Sequence, residues 1–124
     1  MNNNNSMLAP FPVGSLFVIA LFYSKEEAHY AITKRLINYH RITVKEIQGE
    51  LHAAYEYHAE ILKQCKEFAD IVANNKNEIF TIISRMTEHD KKHIETYNFL
   101  ECFKKHIERN PKRRALKEIK FYKV

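Results

Sequence analysis

The sequence predicts an α+β fold in which two βαβ-like units, joined by a long helix, form a ferredoxin-like sandwich with helices on one face of a sheet. Three observations lead to this prediction. An apolar run at 16–23 is followed at once by a helix start signal, and the same succession returns 63 positions later, at 79–99. Between the two units, residues 48–73 carry an amphipathic helical pattern. Residues 15–124 are expected to form one domain.

The first unit begins with a predicted strand at Leu16–Tyr23, whose Phe, Val, Ile and Tyr side chains suit a half-buried pleated surface. Ser24 and Glu27 have the spacing of a capping box, in which each side chain accepts a hydrogen bond from the backbone N–H of the other residue. A helix is therefore predicted from Lys25 to Tyr39. Residues 1–14 contain an Asn run and two prolines, and we expect a disordered or extended lead there.

The middle of the chain is predicted to be a short strand at Arg41–Ile47 that runs into a long helix at Gln48–Ala73. Apolar positions recur along this helix at alternating three- and four-residue steps, as one buried face requires. The stretch 46–70 is acidic, with six Asp or Glu against two Lys. An alternative for Ile42–Cys65 is a helix–turn–helix motif.

The second unit gives a strand at Glu78–Met86 and, after Thr87 and Asp90 in the spacing of Ser24 and Glu27, a helix at Glu88–Arg109. The following Asn-Pro pair ends this helix. The last element is an edge strand at Ala115–Val124, where lysines alternate with apolar residues.

An all-α antiparallel helical bundle is the alternative fold, because the apolar spacing of the long helix also continues through residues 79–107. Helices at 47–73 and 78–109 would then form a hairpin. In that arrangement His58 would face His93, with Asp90 beside them. Whether residues 16–23 and 79–86 are strands or helices decides between the two folds.

The sequence carries no motif of a known catalytic chemistry. It has no Gly-rich phosphate loop and no nucleophile elbow, and Cys65 and Cys102 are not spaced as a metal-binding pair. His89 and His93 have the i,i+4 spacing of two metal ligands, but the remaining ligands of a hemerythrin-like or di-iron site do not follow. We therefore expect a protein that is not an enzyme and that has no cofactor and no metal.

The apolar run at 16–23 is too short to span a bilayer, and prolines and a glycine precede it. No positively charged leader with a cleavage site is present. These observations predict a cytoplasmic protein without a transmembrane segment.

Charge segregation is the most informative functional feature. Residues 104–124 hold nine Lys or Arg against two Glu, whereas the rest of the chain holds eleven basic and thirteen acidic residues. Such a basic end favours a polyanion partner, and we expect RNA or DNA. Tyr122 would add base stacking. The predicted binding residues are Lys104, Lys105, Arg109, Lys112, Arg113, Arg114, Lys117, Lys120, Tyr122 and Lys123.

The leading functional hypothesis is therefore a non-catalytic, nucleic-acid-associated accessory or regulatory protein. The alternative is a protein–protein interaction module, either a homodimer or an adaptor for an acidic protein, that uses the acidic helix 46–70 and the basic C-terminus. A metal-dependent enzyme is the third and least favoured hypothesis.

Overall fold

The computed structural model describes residues 11, 12 and 14–109, which form six α-helices and one two-stranded antiparallel sheet. The mixed α+β class is therefore confirmed. The elements in chain order are α1 (Leu16–Phe22), α2 (Lys25–His40), β1 (Val44–Ile47), β2 (Glu50–Ala53), α3 (Ala59–Ala73), α4 (Lys76–Ser84), α5 (Glu88–Lys92) and α6 (Thr96–Glu108), with a 3-10 turn at Glu56–His58 before α3.

The predicted strand at 16–23 is wrong, because this apolar run forms the buried helix α1. The Ser15 side chain caps the helix by accepting a hydrogen bond from the Val18 N–H. Helix α1 contacts α2, α3, α4 and α6, so apolar residues are favourable around most of its circumference. Such a run has no amphipathic period, and periodicity cannot distinguish it from a buried strand.

The capping box that starts α2 is confirmed. Ser24 Oγ accepts a hydrogen bond from the Glu27 N–H at 3.2 Å, and Glu27 Oε1 accepts one from the Ser24 N–H at 3.4 Å. The helix runs through His40 and ends at Arg41, whose φ of 55° is left-handed. The separation of two elements at Ser24 was therefore predicted correctly, although both of them are helices.

The long helix predicted at Gln48–Ala73 is wrong over its first eleven residues, which form the turn and second strand of a β-hairpin and then the 3-10 turn before α3. Gln48 and Gly49 form a two-residue turn with φ values of 52° and 82°, and they close the Ile47↔Glu50 pair. Two positive φ values in succession define the type I′ turn that matches strand twist. The acidic stretch 46–70 is consequently not one helix, and the helix–turn–helix alternative for Ile42–Cys65 is wrong as well.

The predicted strand at 78–86 is also wrong, because helix α4 occupies most of it. The helix expected at Glu88–Arg109 is divided into α5 and α6. The Thr87 side chain caps α5 by accepting a hydrogen bond from the Asp90 N–H at 3.1 Å. Within residues 11, 12 and 14–109 only β1 and β2 pair, so the ferredoxin-like arrangement is not confirmed.

The all-α alternative assigned the correct helical state to residues 16–22 and 79–84 but missed the hairpin. The edge strand predicted at Ala115–Val124 lies outside the described residues.

The core joins α1, α3 and α6 through four fully buried phenylalanines. The ring of Phe99 lies 4.7 Å from that of Phe17, 6.3 Å from that of Phe68 and 6.1 Å from that of Phe103, measured between centroids. Phe68 and Phe103 are themselves 5.5 Å apart. Three of these pairs are edge-to-face and the Phe99–Phe103 pair is stacked, and aromatic pairs of both kinds add stability beyond the burial of their area.

Phe99→Ala is expected to lower the free energy of unfolding by about 3–5 kcal/mol, because it opens a cavity where three other rings meet. Urea denaturation followed by circular dichroism measures the change. Tyr57→Ala removes an exposed aromatic ring and is the control, for which we expect a change within about 0.5 kcal/mol. Equal losses for the two variants would contradict the central role of Phe99.

Candidate functional site

A groove of about 540 Å³ lies between the end of α4, the short helix α5 and one face of α6. We call it the α4–α6 groove. The residues that line it are Ile82, Arg85, Met86, His89, Asp90, His93, Ile94, Tyr97, Asn98, Glu101, Cys102, Lys105, His106 and Arg109.

Helix α6 forms one wall of the groove, and its two faces differ in polarity. Its groove-facing residues recur every three or four positions from Tyr97 to Arg109, the spacing of one helix face. The opposite face carries Phe99 and Phe103, which are fully buried in the core. The core contacts thus fix the rotation of α6 about its axis, and this rotation decides which polar side chains enter the groove.

The floor of the groove is apolar and its rim is polar. Ile82 is buried, and Met86, Ile94 and Cys102 are partly buried. Five of the polar and charged lining residues other than histidine are exposed: Arg85, Asp90, Asn98, Lys105 and Arg109. This division is typical of ligand sites, where apolar surface gives affinity and a few polar groups give orientation.

The groove carries charges of both signs, with a small surplus of positive charge. Three basic side chains, Arg85, Lys105 and Arg109, face two carboxylates, Asp90 and Glu101. Three histidines, His89, His93 and His106, line it as well, and the rings of His89 and His93 lie 4.5 Å apart between centroids.

Glu101 is the carboxylate of the groove that acts on two tyrosines. It raises the pKa of Tyr97 through its negative charge and through a hydrogen bond. Burial raises the pKa of Tyr39, and Tyr97 and Glu101 raise it further. Glu101 is therefore hydrogen-bonded to Tyr97 of α6 and lies close enough to Tyr39 of α2 for its charge to act on that hydroxyl.

The predicted binding residues divide into two groups. Lys104 and Lys105 belong to α6, and Arg109 follows its last residue directly. Lys105 and Arg109 line the groove, whereas Lys104 lies partly buried on the neighbouring face. Burial lowers the pKa of Lys104, and the charges of Glu101 and Glu108 act in the opposite direction. The other predicted binding residues lie outside the described residues: Lys112, Arg113, Arg114, Lys117, Lys120, Tyr122 and Lys123.

The meeting of His58 with Asp90 and His93, which the all-α alternative implied, does not occur. Asp90 and His93 line the groove together, but His58 lies beside the hairpin. Its Nδ1 accepts a hydrogen bond from the Thr43 N–H at 3.1 Å, and its ring is 4.4 Å from that of Tyr57 between centroids. The physical reason is that α3 starts only at Ala59, so His58 is not on a helix face opposite α5.

Among the described residues, no three His, Cys, Asp or Glu side chains are arranged to hold a metal ion. In the same part of the chain, no helix has both the length and the apolar character needed to cross a bilayer. Comparison of the chain with models of protein families, with curated proteins and with solved structures gave no match.

The sequence gives no indication that Arg85 or the apolar floor belongs to a binding site. Arg85 is separated from the basic C-terminal cluster by eighteen residues without a charge surplus of note, so composition gives no signal for it. Ile82 and Met86 belong to the segment predicted as a strand, and Ile94 and Cys102 to the helix predicted after it, so the sequence does not indicate that these four residues share one surface. The one signal in the sequence is the spacing of polar residues on α6, which runs opposite to its buried phenylalanines.

The two cysteines are expected to differ in their reaction with iodoacetamide. Burial raises the pKa of Cys65 to about 12. The pKa of Cys102 is also raised, chiefly by burial, but the Lys105 ammonium opposes the shift and the thiol lines the groove. Because the thiolate is the reactive form, alkylation of Cys102 should precede that of Cys65 and should accelerate as the pH rises.

Mass spectrometry of the native protein at intervals measures the order of alkylation. The Cys102→Ser variant is the control and should react only slowly, at Cys65. Alkylation of Cys65 in the folded protein at the rate of Cys102 would contradict the difference in burial.

Proposed function

We propose that this protein binds nucleic acid through the basic residues of the α4–α6 groove, together with the basic residues that follow them in the sequence. The observation that supports the proposal is the convergence of basic residues from two elements. Arg85 follows α4, Lys105 belongs to α6, and both line the groove together with Arg109. Six further Lys or Arg residues follow Arg109 in the sequence.

Nucleic acid is the polyanion that suits such a surface, because its closely spaced phosphates can bind several cationic side chains at once. Each phosphate that a Lys or Arg neutralises releases a condensed counterion, and this release is a large part of the binding free energy. Residues 1–103, which precede the basic segment 104–124, carry a small acidic surplus. Repulsion from that surplus would orient a polyanion towards the basic end of the chain.

The proposed role is binding without catalysis, as an accessory or regulatory protein, and we assign it no cofactor and no metal. Phosphate contacts alone position a protein on nucleic acid and carry no sequence information. The basic residues named above therefore support affinity, and they do not distinguish RNA from DNA.

Neutralising the three groove cations together, as Arg85→Gln, Lys105→Gln and Arg109→Gln, is expected to weaken binding to a labelled oligonucleotide. The logarithm of the binding constant should fall less steeply with the logarithm of salt concentration, by about 0.7 per lost contact for a single strand. Fluorescence anisotropy over a range of salt concentrations measures both quantities.

The matched control replaces Lys25, Lys45 and Lys63 by Gln, which removes the same charge from exposed positions outside the groove. A second variant that neutralises Lys112, Arg113 and Arg114 measures the share of the C-terminal segment. If the groove variant and the control weaken oligonucleotide binding equally, the effect is one of net charge and not of the groove. If the natural chain does not bind the oligonucleotide, the proposal is wrong.

Association with a second protein chain is the other candidate function, and an exposed aromatic cluster favours it. Tyr57 is 72% exposed and Tyr55 is 51% exposed, and their rings stack with centroids 5.4 Å apart. Ile47, at the end of the adjoining hairpin, is 54% exposed. Tyrosines are enriched in protein interfaces. The partner chain would be a second copy of this protein, in a homodimer, or an acidic protein.

This second candidate predicts that Tyr55→Ser with Tyr57→Ser shifts a self-associated form to monomer in light scattering. Tyr23→Ser, at an exposed position outside the cluster, is the control. High salt should preserve the association, since it rests on apolar surface, whereas it should abolish polyanion binding. A monomeric mass of the natural chain at all concentrations would exclude the homodimer.

A further inference from the structure

We infer that the α4–α6 groove holds one unpaired nucleotide of a single-stranded nucleic acid, with its base on the apolar floor and its phosphate at Lys105 and Arg109. This inference rests on the proposed function and deepens it, because it names the form of nucleic acid that the site takes.

The size and lining of the groove fit a compact ligand with an apolar part. Its volume of about 540 Å³ lies within the range of about 300–1,000 Å³ that is usual for small-ligand sites. Its floor is formed by Ile82, Met86 and Ile94. A phosphate backbone gains nothing from such a floor, whereas the flat, weakly polar faces of a base are well suited to it.

Tyr97 supplies an aromatic surface at the wall of the groove. Its side chain is 36% exposed, and its hydroxyl is hydrogen-bonded to Glu101 one turn further along α6. This bond limits the motion of the ring, so that stacking on it costs little additional entropy. Stacking of a base on an aromatic side chain is the usual source of affinity for unpaired bases.

The two carboxylates of the groove also favour a base over a stretch of backbone. Asp90 and Glu101 would repel several phosphates placed within the groove, but they are good acceptors for the N–H groups on the edge of a base. Asn98 offers both a donor and an acceptor from the same wall. The cations at 105 and 109 lie one and two turns beyond Glu101, where one phosphate can be neutralised.

This geometry excludes a base that remains inside a double helix. The bases of a duplex are stacked and paired, and one of them reaches a protein groove only if it is flipped out at a cost of a few kcal/mol. Unpaired bases are already available for stacking on side chains. The groove should therefore distinguish single strands from duplexes.

The test compares a short labelled single strand of mixed sequence with a blunt duplex of the same sequence and length. We expect tighter binding of the single strand by the natural chain. Tyr97→Ala should weaken single-strand binding about tenfold and leave duplex binding unchanged, because it removes one stacked base. Tyr97→Phe keeps the ring but loses the hydroxyl that is bonded to Glu101, so its single-strand binding should fall by less than that of Tyr97→Ala. Tyr23→Ala removes an exposed ring outside the groove and should bind like the natural chain.

Protection of Cys102 from iodoacetamide gives a second measurement that needs no variant. A base on the floor covers this thiol, so a saturating single strand should slow its alkylation and the duplex should not. Single-strand preference that disappears in Tyr97→Ala, together with protection of Cys102, would support the inference.

Equal binding of the two forms, or unchanged single-strand binding by Tyr97→Ala without protection of Cys102, would overturn the inference and leave the proposed function standing. Absence of binding to both forms would overturn the proposed function, and the inference with it.

Discussion

The buried contact between Phe99 and the rings of Phe17, Phe68 and Phe103 is the interaction on which the rest of this structure depends. These side chains come from α1, α3 and α6, which are distant in sequence. Helix α1 can be apolar on most sides only because these partners surround it. The Lys76 ammonium joins α4 to the end of α1. It donates hydrogen bonds to the carbonyl oxygens of Leu21 and Tyr23.

The same core contact creates the candidate site on the other side of α6. Since Phe99 and Phe103 must point inward, Tyr97, Glu101 and Lys105 point towards α4 and α5. The groove is therefore a consequence of how one amphipathic helix is packed. The groove combines an apolar floor with a cationic rim. Together these two features favour a ligand with one flat apolar part and one anionic part.

The hairpin is a second unit of the fold with a different basis. Leu51 is buried, with Ile37, Ile42 and Leu62, in a small apolar cluster of its own. The Lys66 ammonium donates to the Leu51 carbonyl oxygen at 2.7 Å and ties β2 to α3. Tyr55 and Tyr57 lie at the junction of this unit with α3, apart from the residues that line the groove. The chain thus offers two separate surfaces, one cationic and one aromatic.

The sequence by itself determined the features that depend on neighbours within a few residues. These are the capping box at Ser24, the cap at Thr87 and the concentration of basic residues after position 103. Only the tertiary structure decided that 16–22 and 79–84 are helices, because a buried apolar run is compatible with either state until its partners are known. Only the tertiary structure likewise placed Arg85 beside Lys105 and Arg109 and moved His58 away from Asp90. Local hydrogen bonds are encoded in short spacings, whereas a site assembled from several helices depends on how those helices pack.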